Sequence, residues 1–306
     1  MKKYALVFSG QASERVGMFN DMLKEPTELN QLLDTLNEEL GINIYDAVTT
    51  KDAAVVAQNN QILLSIYHHL VSRLVVDKIG YHPTFCMGHS FGQLSALASS
   101  KAVNFVDMVK FICKRMEVIN SNDIAVRAHF KSIHGMTLEA FYEFQTAEGL
   151  AGQVELALHN QKEQIICAAT KDGEEKLNSL SAKYSYVLKD VHVSRPYHTH
   201  FMEEYNQRLI PHINNIPFLS PEYPIILNHT TQATSDIKLL HEELMVQMTK
   251  PVFWYDSVIN ADKEVDAFVI IDPSETQSKI LRRITNKKVH NLNNLGAIKM
   301  IEKKGV

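Results

Sequence analysis

Apolar and polar positions alternate along this chain with two periods, and together they predict a mixed α/β protein. An unbroken apolar run, Tyr4–Phe8, predicts an opening strand that stops at the polar turn Ser9-Gly10-Gln11-Ala12-Ser13-Glu14. Polar turns at the carboxyl ends of strands are where α/β sheets keep their sites. Leu29, Leu32, Leu33, Leu36 and Leu40 recur at helical spacing and end at Gly41, and a longer apolar helix is predicted over 61–76, ahead of Gly80 and Pro83. The run 84–87 reads as a buried strand, followed by a helix, and a further helix is predicted over 104–119 with Asn104 and Asp107 as its capping pair. From 124 to 193 the pattern becomes strand 124–133, helix 137–146, strands 154–158 and 164–169, helix 173–184 and strand 186–193. That β-α-β-β-α-β order is ferredoxin-like and predicts a small subdomain inserted into a larger one. Beyond it, 224–227 and 267–271 read as further strands.

Between the strand at 84–87 and its helix stands Gly88-His89-Ser90-Phe91-Gly92, a G-x-S-x-G with the strand, sharp turn and helix order of a nucleophile elbow. Glycines two residues to either side let the backbone turn tightly, so that the Ser90 hydroxyl stands clear of the sheet at a helix N-terminus, where N–H groups favour developing negative charge. An ordinary strand-to-helix turn with Ser90 as a mere N-cap fits the bare pentapeptide as well. The fold class follows: α/β, with a large α/β-hydrolase-like subdomain at 1–123 and 197–306 and a ferredoxin-like small subdomain at 124–196. On the helix 104–119, Met108, Phe111, Ile112, Arg115, Val118 and Ile119 share one stripe, which puts the Arg115 guanidinium on the inward face. A buried arginine pairs with an internal carboxylate, snorkels to the rim of the sheet, or receives an acidic substrate, and the stripe alone leaves all three open.

Composition narrows the classes. With 306 residues, 45% hydrophobic and 22% charged, the chain is an ordinary globular one, long enough for a substantial core. The start, MKKYALVFSGQ, has too short an apolar run for a signal peptide, and no segment reaches the length of a membrane span, so a cytoplasmic location is expected. Cys86, Cys113 and Cys167 lack metal spacing and read as reduced packing residues. A net charge of −4 argues against nucleic acid as the main partner. No metal is expected, because neither His198 with His200 nor the pair His68-His69 has a third ligand at suitable spacing.

The ordered set Gly10-Gln11-Ala12-Ser13, Gln61, Gly88-His89-Ser90-Phe91-Gly92, Arg115, Asn160, Pro196-Tyr197-His198 and Pro251-Val252-Phe253-Trp254 resembles the malonyl-CoA:acyl carrier protein transacylases over essentially the whole chain. The resemblance implies that Ser90 is acylated from malonyl-CoA and passes the acyl group to the phosphopantetheine thiol of an acyl carrier protein, with no bound cofactor. It implies His198 as general base and then general acid, the backbone N–H groups of Gln11 and Phe91 as oxyanion donors, and Arg115 as the clamp on the free malonyl carboxylate, a bidentate geometry that lysine does not reproduce. Gln61, Asn160 and Phe253 match positions near the family's substrate pocket.

The chain departs from the family pattern at Ala12, where glycine is usual, at Glu14 and Phe253, where glutamine is usual, at Asp272-Pro273-Ser274-Glu275, where a Gly-Pro-Gly turn is common, and at Arg195-Pro196-Tyr197-His198. These changes point to a divergent member, such as a discrete trans-acting acyltransferase. Three rivals stand beside it: an acyl hydrolase of the same fold, a lipase-like order of Ser90, Asp272 and His290, and a non-catalytic carrier-protein docking module. The chain is expected to be a monomer. Lys279, Arg282, Arg283, Lys287 and Lys288 form a basic run that would either dock an acidic carrier protein or complement a helix C-terminus.

Overall fold

The computed structural model describes residues 2–121 and 123–304. Among them, ten strands form two sheets. In chain order they are β1 (Tyr4–Phe8), β2 (Phe85–Gly88), β3 (His129–His134), β4 (Val154–Gln161), β5 (Gln164–Ala169), β6 (Val187–Asp190), β7 (Ile225–Ile226), β8 (Ala233–Thr234), β9 (Ala267–Ile271) and β10 (Lys288–Asn291). The larger sheet has the order β10-β9-β1-β2-β7-β8 and is parallel except where β7 meets β8. β1 and β9 have every residue buried, as expected of strands with helices on both faces.

The helices fall where the apolar stripes placed them. Thr27–Leu40 buries Leu29, Leu33 and Leu36 and ends at Gly41, whose φ of 66° is the left-handed cap that glycine adopts freely. Phe105–Ile119 starts at Asn104, whose side chain accepts from the Val106 N–H and so satisfies an otherwise unpaired donor. Asn60–Arg73 is buried on nearly every face, and its predicted last turn is instead a π-type turn at Leu74–Lys78.

The smaller sheet is antiparallel with the order β4-β5-β3-β6. Numbered by themselves these strands run 2-3-1-4, the ferredoxin-like arrangement. Its first strand begins at His129, not at the expected 124, because 124–128 precedes the pairing with β5. Residues alternate strictly along β5. Ile165, Cys167 and Ala169 pack with Phe141, Phe144 and Leu177 from the two helices of this sheet, while Ile166 and Ala168 join the core of the larger lobe. The insertion is thus a separate sheet whose second face is completed by the main body.

A register shift in β4 between Leu156 and Leu158 breaks that alternation. Leu156 belongs to the small core, whereas Ala157 and Leu158 both belong to the large one. Bulges re-aim side chains. Here the consequence is that Leu158 and the polar residues after it turn toward the larger sheet, with Leu158 bridging to Val252 and the His159 N–H donating to the Val252 carbonyl at 2.9 Å.

Candidate active site

Ser90 lies just past the carboxyl end of β2 with φ of 53°. A serine in that region is strained, and only close packing keeps it there. The flanking glycines show how tight the turn is. A Cβ on Gly88 would lie 2.0 Å from the Gly92 carbonyl carbon, and one on Gly92 would lie 2.2 Å from the Phe8 carbonyl oxygen. Asn228, beyond the end of β7, braces the turn from both sides: its Oδ1 accepts from the Ser90 N–H at 2.8 Å and its Nδ2 donates to the Gly88 carbonyl at 2.6 Å.

The structure places His198 against this serine, with Nε2 2.6 Å from the Ser90 Oγ. Its Nδ1 lies 2.7 Å from the Gln247 carbonyl, which only accepts, so Nδ1 carries the proton and the Nε2 lone pair receives the serine hydroxyl. His198 is itself at φ of 65°, and its N–H donates to the Met248 carbonyl at 2.8 Å. Gln247 therefore fixes the His198 imidazole with its carbonyl and the Ser90 turn with its side chain, whose Nε2 donates to the Ser90 carbonyl at 3.2 Å. Burial, followed by the nearby Arg115 and His89, outweighs the Gln247 bond and pushes His198 down to about 3. The imidazole is neutral at physiological pH, as a general base must be.

On the helix Phe105–Ile119, Arg115 is 2% exposed, and no carboxylate lies in ion-pair range among the described residues. One nitrogen donates to the Gln61 Oε1 at 2.6 Å, the guanidinium carbon stands 5.4 Å from the centre of the Tyr197 ring, and Nε has no partner. Of the three roles open to a buried arginine, internal pairing and snorkelling are thereby removed. Ser90, His198 and Arg115 line one cavity of about 310 Å³, together with Gln11, Ala12, Glu14, His89, Leu158, Tyr197 and the segment 192–194. The Glu14 carboxyl is raised by burial, partly offset by nearby backbone N–H groups, and its Oε2 has no partner.

The remaining predicted residues sort into two groups. Among the described residues the Gln11 and Phe91 N–H groups have no intramolecular acceptor; Gln11 is in the turn after β1, and Phe91 is in the elbow itself, next to Ser90. Gln61, Asn160 and Phe253 are not among the residues that line this cavity. Gln61 acts behind Arg115 and reaches the Gln11 Oε1 at 3.4 Å. Asn160 accepts from the His89 Nε2 at 2.8 Å. Phe253 donates its backbone N–H to the Asn228 carbonyl at 2.8 Å while its ring packs on the small core and beside His229. The link from Phe253 to Asn228 is made by the main chain and does not depend on the side chain at 253. Asn228 and Gln247 were not legible beforehand; Asn228 had only its position past a strand end as a signal, and Gln247 acts on the base through its main chain.

The lipase-like order fails. Asp272 is spent on the helix Thr276–Ile284, accepting from the Ser278 N–H at 2.8 Å, and His290 sits on β10, with β9 and β1 between it and β2. Among the described residues no cluster of three or more metal-ligating side chains occurs. No described helix is long and apolar enough to cross a membrane.

Past a central strand of the larger sheet, a strained serine, a buried histidine and, among the described residues, two N–H groups without an intramolecular acceptor come together, an arrangement compatible with acyl transfer. The sequence profile of the acyl transferase domain family spans residues 5–299, and the chain belongs to that family. It is 27% identical over 300 residues to the malonyl CoA-acyl carrier protein transacylase of Bacillus subtilis, covering 94% of this chain and 92% of that protein. The protein of the same name from Staphylococcus aureus is 24% identical over 292 residues, with 93% of each chain covered. Among solved structures, the transacylase of Coxiella burnetii superposes with a TM-score of 0.90 at 21% identity over 99% of this chain and 98% of that one. A malonyl-transacylase solved in complex with a type II polyketide acyl-carrier protein superposes with a TM-score of 0.89 at 21% identity, covering 98% and 99%.

Proposed function

We propose that the protein transfers a malonyl group, or a related dicarboxylic acyl group, from coenzyme A to the phosphopantetheine thiol of an acyl carrier protein through an acyl-Ser90 intermediate. The observation that carries this reading is a single cavity with a serine-imidazole pair and a buried guanidinium that lacks an anion. The names of the relatives support the same donor and acceptor.

In the first half-reaction the Ser90 Oγ attacks the thioester carbonyl carbon while Nε2 of His198 takes its proton. The oxyanion is held by the N–H groups of Gln11 and Phe91, and the imidazolium returns the proton to the leaving CoA thiolate. The second half-reaction runs the same steps backwards with the carrier thiol as nucleophile. Arg115 holds the carboxylate at the far end of the acyl group, which fixes the thioester against Ser90 and disfavours uncharged acyl groups. We take 1–123 with 197–306 and 124–196 as its two subdomains, and the cytoplasm, where free thiols such as Cys86, Cys113 and Cys167 persist, as its compartment.

Intact-mass measurement after mixing with malonyl-CoA tests the reading. One malonyl adduct per chain is expected, mapping to Ser90 and discharged by a holo carrier protein. An unmodified chain, or an adduct released only to water, would contradict it.

For the carrier itself, the C-terminal part of the basic run is poorly placed. Lys288 pairs with Ala267 at the start of β9, whereas Ser90 lies beyond Gly88, level with Phe8 and the end of β9 at Ile271. Lys288 is thus at the opposite end of the strands, about 13 Å away along the strand direction alone, whereas Lys279 is in the first turn of the helix Thr276–Ile284 that follows the carboxyl end of β9. Lys287 already donates to the Asp262 and Val265 carbonyls, where it complements a helix C-terminus. Charge reversal at Arg282 and Arg283 is therefore expected to leave carrier-protein transfer unchanged at low salt, and a marked loss would restore the run as the docking surface.

A further inference from the structure

One fully buried titratable side chain has no part in the mechanism above. His68, on the helix Asn60–Arg73, has no exposure to solvent and stands edge-on to the Phe8 ring at 5.4 Å. Its Nε2 is 3.1 Å from the Ser9 Oγ and its Nδ1 is 2.9 Å from the Ser95 Oγ. Burial pushes the imidazole down to about 3, partly offset by the Ile271 carbonyl beside the ring. A neutral ring has one donor nitrogen and one acceptor, and each serine hydroxyl can supply the complement, so the three groups satisfy one another in a place water does not reach.

The two serines belong to the two segments that carry the oxyanion donors. Ser9 is the first residue after β1, two before Gln11, and its N–H donates to the Ile271 carbonyl at 3.2 Å. Ser95 is on the elbow helix Gly92–Ser99, about one turn past Phe91. These segments already touch at Gly92, where an added Cβ would lie 2.2 Å from the Phe8 and 2.7 Å from the Ser9 carbonyl oxygen. The strand pairing of β1 with β2 ends here, with the His89 N–H donating to the Phe8 carbonyl at 3.0 Å. Beyond that bond the rigid planar ring of His68 adds a link from Ser9 to the elbow helix itself.

We propose that His68 is a positioning residue for acyl transfer, bridging Ser9 to Ser95 so that the Gln11 and Phe91 N–H groups keep the separation an oxyanion requires. The inference rests on the reading of Ser90 as the acylated residue. Oxyanion donors act over a narrow range of distance, and a misplacement of an ångström costs orders of magnitude in rate. The ring therefore acts on the transition state and not on the binding of acyl-CoA.

The test compares His68→Leu, which conserves bulk and removes both bonds, with His68→Gln, which keeps one donor and one acceptor. In His68→Leu, kcat for acylation and for transfer to the carrier falls about tenfold or more while KM for malonyl-CoA stays within about twofold, and His68→Gln recovers most of the loss. Should His68→Leu fail to fold, Ser9→Ala and Ser95→Ala carry the test. Each lowers kcat severalfold, and the double variant is no worse than the poorer single, because both act through one imidazole. A lower melting temperature with kcat and KM at wild-type values, or a raised KM with unchanged kcat, overturns the inference. A wild-type chain that gains no malonyl adduct overturns the proposed function and this inference with it, whereas a wild-type adduct with kinetically unchanged variants overturns this inference alone.

Discussion

Replacing His198 by alanine is expected to slow the acylation of Ser90 by malonyl-CoA about 10³-fold or more, while His290→Ala leaves it at the wild-type rate. The asymmetry follows from geometry, since only the imidazole of residue 198 is within hydrogen-bond reach of the hydroxyl. Its tautomer is set by a main-chain carbonyl, so no carboxylate is required to orient it, and none is bonded to it among the described residues. Quenched-flow sampling with mass detection of the adduct reads both variants. Equal losses, or a loss only in His290→Ala, would contradict the assignment.

The same histidine sets a pH dependence of stability. Its folded value, about 3, lies below the ordinary 6.5, so the unfolded chain binds the extra proton in the interval between them. Stability from this group is complete above about pH 6.5 and is lost as pH falls toward the folded value. His68, also about 3, adds in the same direction. The acid limb of the rate profile is accordingly expected well below pH 6.5, and an activity that already halves at that pH would show that the His198 imidazole is not held below its ordinary value.

The second large effect concerns Arg115. Arg115→Ala is expected to reduce malonyl loading about 10²–10³-fold, the loss typical when one partner of a desolvated charge pair is removed, while acetyl loading is unchanged or improves. Arg115→Lys does not restore malonyl loading, because a point charge on a flexible stem does not reproduce the planar fork. A panel of acyl-CoA donors read by protein mass gives the ratio directly. Stability moves the other way. In the free protein this buried cation has one side-chain acceptor, an aromatic face and an unpartnered Nε, and burial lowers its pKa. Burying an unpaired charge costs free energy, so Arg115→Met is expected to melt no lower than wild type. A variant that loads malonyl normally would remove the argument for a dicarboxylic substrate.

Much of this was legible in the chain itself. The elbow depends on residues adjacent in sequence, and its glycines are there because a Cβ at either position would overlap backbone. Arg115 was assigned to an inward face by periodicity alone, and it is buried. The small sheet followed from the order of its elements. Glu14 was marked only as a departure in the loop, and the fold makes it a wall of the cavity.

What the local pattern determined, then, was which segments are strands and helices, which face of each turns inward, and where the backbone must bend sharply. Contacts made across the fold decided the rest. Whether Arg115 had a counter-ion, which of His198 and His290 meets Ser90, and where Gln61, Asn160 and Phe253 stand relative to the cavity all depended on the packing of one lobe on the other. The bulge in β4 shows why: one extra residue, invisible to a period-two reading, turns Leu158 from the small core to the cavity. Periodicity reports a side chain's direction relative to its own backbone. Which groups meet depends on distances between segments far apart in sequence, and those are fixed only when the core closes.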